Sequence, residues 1–258
     1  MRLACLASGS SGNATLVDTG SHYILIDCGL SAKETRNRLA VLNLLITDIS
    51  AILLTHEHAD HIGGAVAVAN QSGASVYATR GTSLKLKGQK LKDQCQIIRA
   101  GQEFYIGETL VMPVAVPHDA REPVQFTLTN QKANLKVGVL TDLGSITPHV
   151  VEEFTGCQSL LVEANHCEEL LRNGPYPAAL KRRIHGPWGH LSNTQTLDLL
   201  TRLLAVGSAP KNLIIGHISK ENNQLDRVQN SLAELASNFD SLVLAAQDKV
   251  EPWVGIVE

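Results

Sequence analysis

Residues 53–64, LLTHEHADHIGG, place three histidines, a glutamate and an aspartate in the six consecutive positions 56–61, directly behind an apolar run. His56 and His58 are two apart, so in extended or turning chain their side chains can share one side. Asp60 and His61 follow on the next turn and reach a neighbouring point. The pattern is therefore two pairs of donors. Three imidazoles and a carboxylate this close would repel and lose hydration unless a cation neutralised them. Neutral imidazole with carboxylate is the donor set zinc prefers and that iron and manganese accept, so a metal centre is the economical reading. Glu57 falls between the donors and points the other way, as a structural residue.

Around this stretch the chain reads as one domain over residues 1–258, because 258 residues at 44% hydrophobic content can bury one large core and no polar linker or repeat divides them. A net charge of −3 and a pI of about 6.4 argue against coating nucleic acid or an anionic membrane over the whole surface, so an anionic substrate must be caught locally. The opening residues lack a signal-peptide core and no segment approaches the length of a membrane span, which makes a cytoplasmic protein without a membrane partner the expectation. The five cysteines, Cys5, Cys28, Cys95, Cys157 and Cys167, are odd in number and never spaced C-x-x-C. They suggest neither a disulfide framework nor a cysteine zinc site, and read as small hydrophobes.

Short apolar segments separated by Gly/Ser/Asn-rich turns predict strands at RLACLAS, ATLVDTG, YILIDCG and AILLTH. Helical patterns interrupt them at SAKETRNRLAVL and IGGAVAVANQS. The middle of the chain predicts paired strands and hairpins over QIIRAGQEFYIGETLVMPVAVPHDA and VQFTLTNQKANLKVGVLTDLG. Beyond it, helices (PHVVEEF, NTQTLDLLTRLLAV, LDRVQNSLAELASNF) alternate with strands (SLLVEAN, NLIIGHIS, LVLAAQ). The class is a layered α/β fold. Four strands share one feature, polar groups at the carboxyl end: Thr55-His56, His118-Asp119, Thr141-Asp142 and His217. Carboxyl ends of strands are where α/β folds assemble sites, so these four ends are candidates to converge. The competing reading of any one of these histidines is a hydrogen-bonded structural residue.

H-x-H-x-D-H after a strand, with VPHDA, LTDLG and IGHIS following in order, resembles the signature of the metallo-β-lactamase fold superfamily, and the resemblance covers nearly the whole chain. It implies a four-layer αβ/βα sandwich with a binuclear metal site at its edge. By that resemblance His56, His58 and His118 hold the first ion, Asp60, His61 and His217 the second, and Asp142 bridges them, with Asp60 also counted among the catalytic residues. Two divalent ions would be the cofactors: zinc or manganese, with iron also accepted. Such a pair makes hydroxide available from bridging water at neutral pH and polarises the electrophile's oxygen, which is hydrolytic chemistry. Oxygen-reducing di-iron relatives carry glutamate where this chain has His58. Asp27, closing YILID, reads as a partner that orients a metal-binding histidine.

SLLVEANHC, GHLSNTQTLDLLTRLL and LIIGHISKENN are similar to the triplet found in tRNase Z and related phosphodiesterases, which implies a pairing of Glu163 with His190. A carboxylate bonded to imidazole raises its basicity and fixes its tautomer, so His190 is a candidate general acid for a leaving sugar oxygen. The competing reading is a histidine at a helix start satisfied by a core glutamate. Within that branch the motifs resemble YycJ/WalJ-like proteins, which implies a 5′→3′ exonuclease on DNA, with RNA the lesser candidate. The stretch between His118 and Asp142 is long enough only for a hairpin, with no β-CASP insertion or tRNA-clamping arm. Ser10, Ser11 and Asn13 in the first Gly-rich turn, and Ser192 and Asn193 beside His190, are candidate phosphate contacts. Their competing readings are a tight hairpin and a helix N-cap. Lys181, Arg182 and Arg183 form the basic run expected near the substrate, whereas Lys85, Lys87, Lys90 and Lys92 read as a solvated face. His22, His149, His166 and His185 fit no ligand position.

The expected function is that of a binuclear metal phosphodiesterase, a nuclease in which metal-bridged hydroxide attacks phosphorus and His190 protonates the leaving group. The alternative keeps the fold and changes the bond, to a thioester, lactone or β-lactam, for which the Glu163–His190 pair would be superfluous. A metal-binding regulatory protein is a third class, against which the complete donor set speaks. The sequence is compatible with a homo-oligomer and does not choose its state.

Overall fold

A computed structural model describes residues 1–91, 95–207 and 210–255; Lys92 lies outside the described residues. Among the described residues the strands are β1 (Arg2–Ala7), β2 (Ala14–Asp18), β3 (Tyr23–Ile26), β4 (Ile49–Leu54), β5 (Ser75–Thr79), β6 (Gln96–Ile98), β7 (Phe104–Ile106), β8 (Thr109–Ala115), β9 (Val124–Asn130), β10 (Leu135–Leu140), β11 (Ser159–Glu163), β12 (Asn212–Gly216), β13 (Ser241–Leu244) and β14 (Glu251–Gly255). The helices are α1 (Ala32–Val41), α2 (Ala59–Ile62), α3 (Ala65–Ser72), α4 (Arg80–Leu86), α5 (Pro148–Phe154), α6 (Glu168–Asn173), α7 (Ala178–His185), α8 (Asn193–Ala205) and α9 (Leu225–Leu232).

The strands form two sheets of seven, ordered β14-β1-β2-β3-β4-β5-β6 and β13-β12-β11-β10-β9-β8-β7 among the described residues. Each is antiparallel in one half and parallel in the other: β3 to β6 run parallel in the first sheet, and β10 to β13 in the second. Side chains alternate along a strand, and both sets are apolar here because each sheet is covered on both faces. Leu3, Ile24, Ile26 and Leu53 point inward to meet Phe126, Leu128, Val139 and Ile214 of the second sheet. Leu25, Ile52 and Leu54 point outward onto Leu39 of α1 and Val68 of α3. On the far side Leu140, Leu160, Val162 and Ile215 pack on Val150, Phe154, Leu199 and Leu203 of α5 and α8. The layers are thus helix, sheet, sheet, helix, the sandwich the family resemblance implied.

Besides β5, β14, α2 and α4, which the sequence patterns left unassigned, the observed elements depart from expectation in three places. The helix expected over residues 225–239 ends at Leu232, and the chain tightens into a 3-10 turn at Ala236–Asn238. The strands expected as one paired group after residue 95 are split, because β6 closes the first sheet while β7 opens the second. Helices α6 and α7, between β11 and α8, had no sequence signal strong enough to predict them. Both are short, and α7 exposes most of its side chains.

Parallel strands deliver their carboxyl ends to one edge. There β3 gives way to Asp27, β4 to Thr55 and His56, β10 to Thr141 and Asp142, and β12 to His217, while Glu163 closes β11. Asp27, Asp142 and His217 adopt φ of 60°, 50° and 52°. This left-handed conformation costs a non-glycine residue roughly 1–2 kcal/mol, and it lets a strand turn sharply while its side chain stays at the sheet edge. Strain of this kind collects at functional sites.

Candidate metal centre

The donors sit at that common edge in two groups that share Asp142. In the first, His58 Nδ1 lies 3.0 Å from His56 Nε2 and 3.4 Å from His118 Nε2. In the second, His61 Nε2 lies 3.4 Å from Asp60 Oδ2 and 3.1 Å from Asp142 Oδ2, and His217 Nε2 lies 3.5 Å from Asp142 Oδ1. His118 Nε2 is also 3.9 Å from Asp142 Oδ1, so this carboxylate reaches both groups.

The outer ring nitrogens explain why the inner ones are free to bind. Asp27 Oδ2 accepts from His61 Nδ1 at 2.7 Å, and the Asp27 carboxylate also accepts from the Thr55 hydroxyl at 2.9 Å. With its proton so used, Thr55 Oγ1 accepts from His56 Nδ1 at 2.9 Å. His118 Nδ1 donates to the Gly189 carbonyl at 3.1 Å. Each bond fixes a tautomer that leaves the Nε2 lone pair facing inward, the role expected of Asp27 among them.

The loop that carries Asp60 and His61 is held by close backbone contact. Asn13 N donates to Asp60 O and Cys28 N to His61 O, each at 2.7 Å. Gly29 is packed so tightly beneath that a Cβ there would stand 1.7 Å from Asp60 O. Glu57 turns away and accepts from Arg121 N at 3.1 Å.

The charge balance calls for a cation. Burial, assisted by the neighbouring His61, keeps His56 well below the usual imidazole range, and burial likewise lowers His118 against the pull of Asp142. Burial also opposes charge on His61 and His217, yet it is outweighed: Asp142 and Asp27 hold His61 well above its usual range, and Asp142 with Asp60 and Glu163 pushes His217 up to about 10. The same buried carboxylates would stabilise a cation placed between these rings. Asp142 Oδ2 and His217 Nε2 are buried without a hydrogen-bond partner. Orphaned polar atoms are expensive in an interior unless an ion satisfies them. The donor atoms of His56, His58 and His118, of His56, His61 and Asp142, and of Asp60, His61 and His217 lie within 4.8 Å of one another in each set and fit divalent metal ions.

Beside the donors, Glu163 is fully buried: Oε1 accepts from Leu143 N at 2.6 Å and Leu191 N at 3.1 Å, and Oε2 accepts from His190 Nδ1 at 3.1 Å. Burial opposes its ionisation, but His190 and the hydrogen bonds bring its pKa down to about 2. His190, with 20% of its side chain exposed, opens onto a cleft of about 240 Å³ whose walls include Ser10, His58, Asp60, Asp119, Tyr176, Arg183 and His217.

The remaining expected contacts divide. Ser10 and Arg183 line this cleft, whereas Arg182 and Lys181 line a separate one on the other face of α7. Ser11 is exposed and donates its backbone N–H to Gln247 Oε1 at 2.8 Å. Asn13 is buried; its Nδ2 donates to Asp60 Oδ2 at 3.3 Å, so it braces the Asp60 carboxylate. Ser192 and Asn193 are buried and partnered in the interior. The Ser192 hydroxyl caps α8 and donates to Glu168, while Asn193 exchanges amide bonds with Asn223. Asp119 was marked only as a strand-end group without a role, and Tyr176 was missed. Asp119 Oδ1 lies 3.4 Å from His118 Nε2 while Oδ2 accepts from Arg183, and its position directly after His118 was the available signal. Tyr176 sits just before α7, where no sequence signal marked it. All five cysteines are free.

A family model described as a beta-lactamase superfamily domain matches residues 22–218. The chain belongs to this superfamily. Similar proteins include exodeoxyribonuclease WalJ of Streptococcus pneumoniae serotype 2 (strain D39), 36% identical over 227 residues that cover 86% of this chain and 83% of that protein. Exodeoxyribonuclease YycJ of Bacillus anthracis is 33% identical over 238 residues, covering 91% and 89%. Among solved structures, the metallo-β-lactamase fold protein YhfI from Bacillus subtilis superposes with a TM-score of 0.71 over 99% of this chain and all of that one, at 16% identity, which speaks to the fold alone.

Proposed function

We propose that this protein is a metal-dependent exodeoxyribonuclease that removes nucleotides from the 5′ end of DNA. Residues 1–258 would form one hydrolase domain acting in the cytoplasm, and zinc, manganese or iron would fill two positions. The observation that carries the reading is the Glu163–His190 pair, 3.1 Å apart beside the metal donors, in a chain one-third identical over most of its length to proteins named exodeoxyribonucleases. A lactam or thioester hydrolase has no need of a carboxylate-supported imidazole at that place. The five free cysteines suit a reducing compartment. Among the described residues no helix is long and apolar enough to cross a membrane.

His56, His58 and His118 would hold one ion, Asp60, His61 and His217 the other, and Asp142 both. Bound divalent ions supply water of lowered pKa and a polarised phosphoryl oxygen. The chain's residues do the rest. Asp60, with 24% of its side chain exposed at the cleft, orients water by accepting its hydrogen bond. Arg183 and Ser10 hold the phosphate, a task for which a guanidinium fork is suited. His190, its Nδ1 proton committed to Glu163, offers Nε2 to the leaving sugar oxygen and delivers the proton there.

The test is a parallel screen of 5′-labelled and 3′-labelled DNA, nitrocefin and S-lactoylglutathione, with zinc, manganese or iron supplied. Mononucleotide release from the 5′ label, with the two small substrates untouched, is the expected result. Fast lactam or thioester turnover with inert DNA overturns the proposal.

A further inference from the structure

Trp188 is 60% exposed. The other tryptophan, Trp253, is half-buried beneath the Arg2 guanidinium, 4.4 Å from its ring, and beside Tyr23. In a chain only 4% aromatic, an indole left in water forgoes the large burial such a side chain usually supplies. Its place is specific. Trp188 immediately precedes Gly189 and His190, which line the cleft, and its own carbonyl accepts from the backbone N–H of Asp119, another lining residue, at 2.9 Å.

The backbone beneath the ring is fixed on every side. Gly189 N donates to Gly186 O and His190 N to Ile184 O, each at 2.9 Å, and the Ser145 hydroxyl donates to Pro187 O at 3.1 Å. The Gly189 carbonyl is held by His118 Nδ1. Gly144 approaches so closely that a Cβ there would stand 2.4 Å from Pro187 O and 2.6 Å from Gly189 N. An exposed indole is therefore carried on a fixed backbone immediately beside residues that line the cleft.

We propose that Trp188 is a stacking platform for an unpaired nucleobase adjoining the phosphodiester in the cleft. The inference rests on the nuclease reading and adds to it a preference for single-stranded or frayed ends over blunt duplex. Every base offers a π face, so a stack adds affinity without reading sequence, and a ring on an already fixed backbone has only its own few side-chain torsions to order on binding.

The test compares wild type with Trp188→Ala, Trp188→Leu and Trp188→Phe, all metal-loaded, on single-stranded DNA, on the same strand with an abasic residue next to the scissile bond, and on bis-p-nitrophenyl phosphate. For Trp188→Ala, KM on single-stranded DNA should rise roughly 5- to 150-fold, the usual worth of one base–aromatic stack. The rise should exceed any change on bis-p-nitrophenyl phosphate at least fivefold, shrink on the abasic strand, and be largely restored by Trp188→Phe but not by Trp188→Leu. Indole fluorescence of the wild type should be quenched by the oligonucleotide, and the quench should be lost in Trp188→Phe. Equal losses on DNA and on bis-p-nitrophenyl phosphate would mean that Trp188 only supports the His190 loop, and full activity of Trp188→Leu would mean that any apolar cover serves; either result overturns the platform. Wild type inert towards DNA, with no quench, overturns the nuclease reading instead.

Discussion

Replacing Glu163 by glutamine isolates the proton-delivery step. The Glu163 Oε1 bonds to Leu143 N and Leu191 N can be kept by an amide oxygen, so the backbone stays in place. The Oε2 partner is His190 Nδ1 at 3.1 Å, and there the amide presents a donor where the imidazole needs an acceptor. One charge-assisted hydrogen bond is lost from the ring that must become an acid. Such a bond contributes about 1.5–3 kcal/mol, which corresponds to roughly 10- to 150-fold in rate. The ceiling is His190→Ala, which removes the acid and should cost about 10²- to 10⁴-fold. Single-turnover rates on end-labelled DNA and on bis-p-nitrophenyl phosphate, whose leaving group departs without a proton, separate the possibilities. Both variants should lose most of their rate on DNA and little on the nitrophenyl ester. Equal losses on the two substrates would assign His190 to phosphate binding, and unchanged rates on both would reduce the pair to an anchor for the start of α8; either result refutes the general-acid role.

His58→Ala and Asp142→Ala should each abolish hydrolysis with circular dichroism unchanged, while elemental analysis falls from about two ions per chain in the wild type, the number two-metal hydrolysis requires. Chelation should lower the melting temperature, because Asp142 Oδ2 and His217 Nε2 are buried without partners; an unchanged melting curve would contradict the donor assignment. Arg183→Ala should raise KM on DNA roughly tenfold through the loss of a charged contact to phosphate, an effect that added salt should shrink. His166 is buried with both ring nitrogens unpartnered, and burial brings its pKa down from 6.5 to about 4. A neutral form favoured by folding means the unfolded chain binds more protons between those values, so stability is lost as pH falls from 6.5 towards 4, by about 3 kcal/mol at most. Urea titrations at pH 7 and pH 4.5 should show His166→Leu losing less stability than wild type over that interval; equal slopes would disprove this.

Much of the site is legible in the sequence because its donors lie at points the local pattern marks. H-x-H-x-D-H follows an apolar strand directly, and His118, Asp142 and His217 each stand at the end of another. A strand's direction is written in its own residues, so knowing where it ends is knowing which side chains reach the sheet edge. The pairing of Glu163 with His190 is also readable, though from resemblance and not from spacing. The two faces of β3 and β4, apolar in both registers, announce strands covered on both sides and hence the layered class.

The cleft itself was decided by tertiary structure. Ser192 and Asn193 read equally well as phosphate contacts or as a helix start, and the choice fell to Glu168 and Asn223, 24 and 30 residues distant in sequence, which bind them in the interior. Asn13 became a brace for Asp60 across 47 residues. Arg182 and Arg183 are neighbours in sequence, yet they face different clefts because α7 turns about 100° per residue and only its packing chooses which face meets the metals. Residue type and period are local properties that a sequence carries in full. The partner a polar side chain finds, and the face a short exposed helix turns inward, are free-energy differences between distant surfaces, and those exist only once the two sheets have closed on one another.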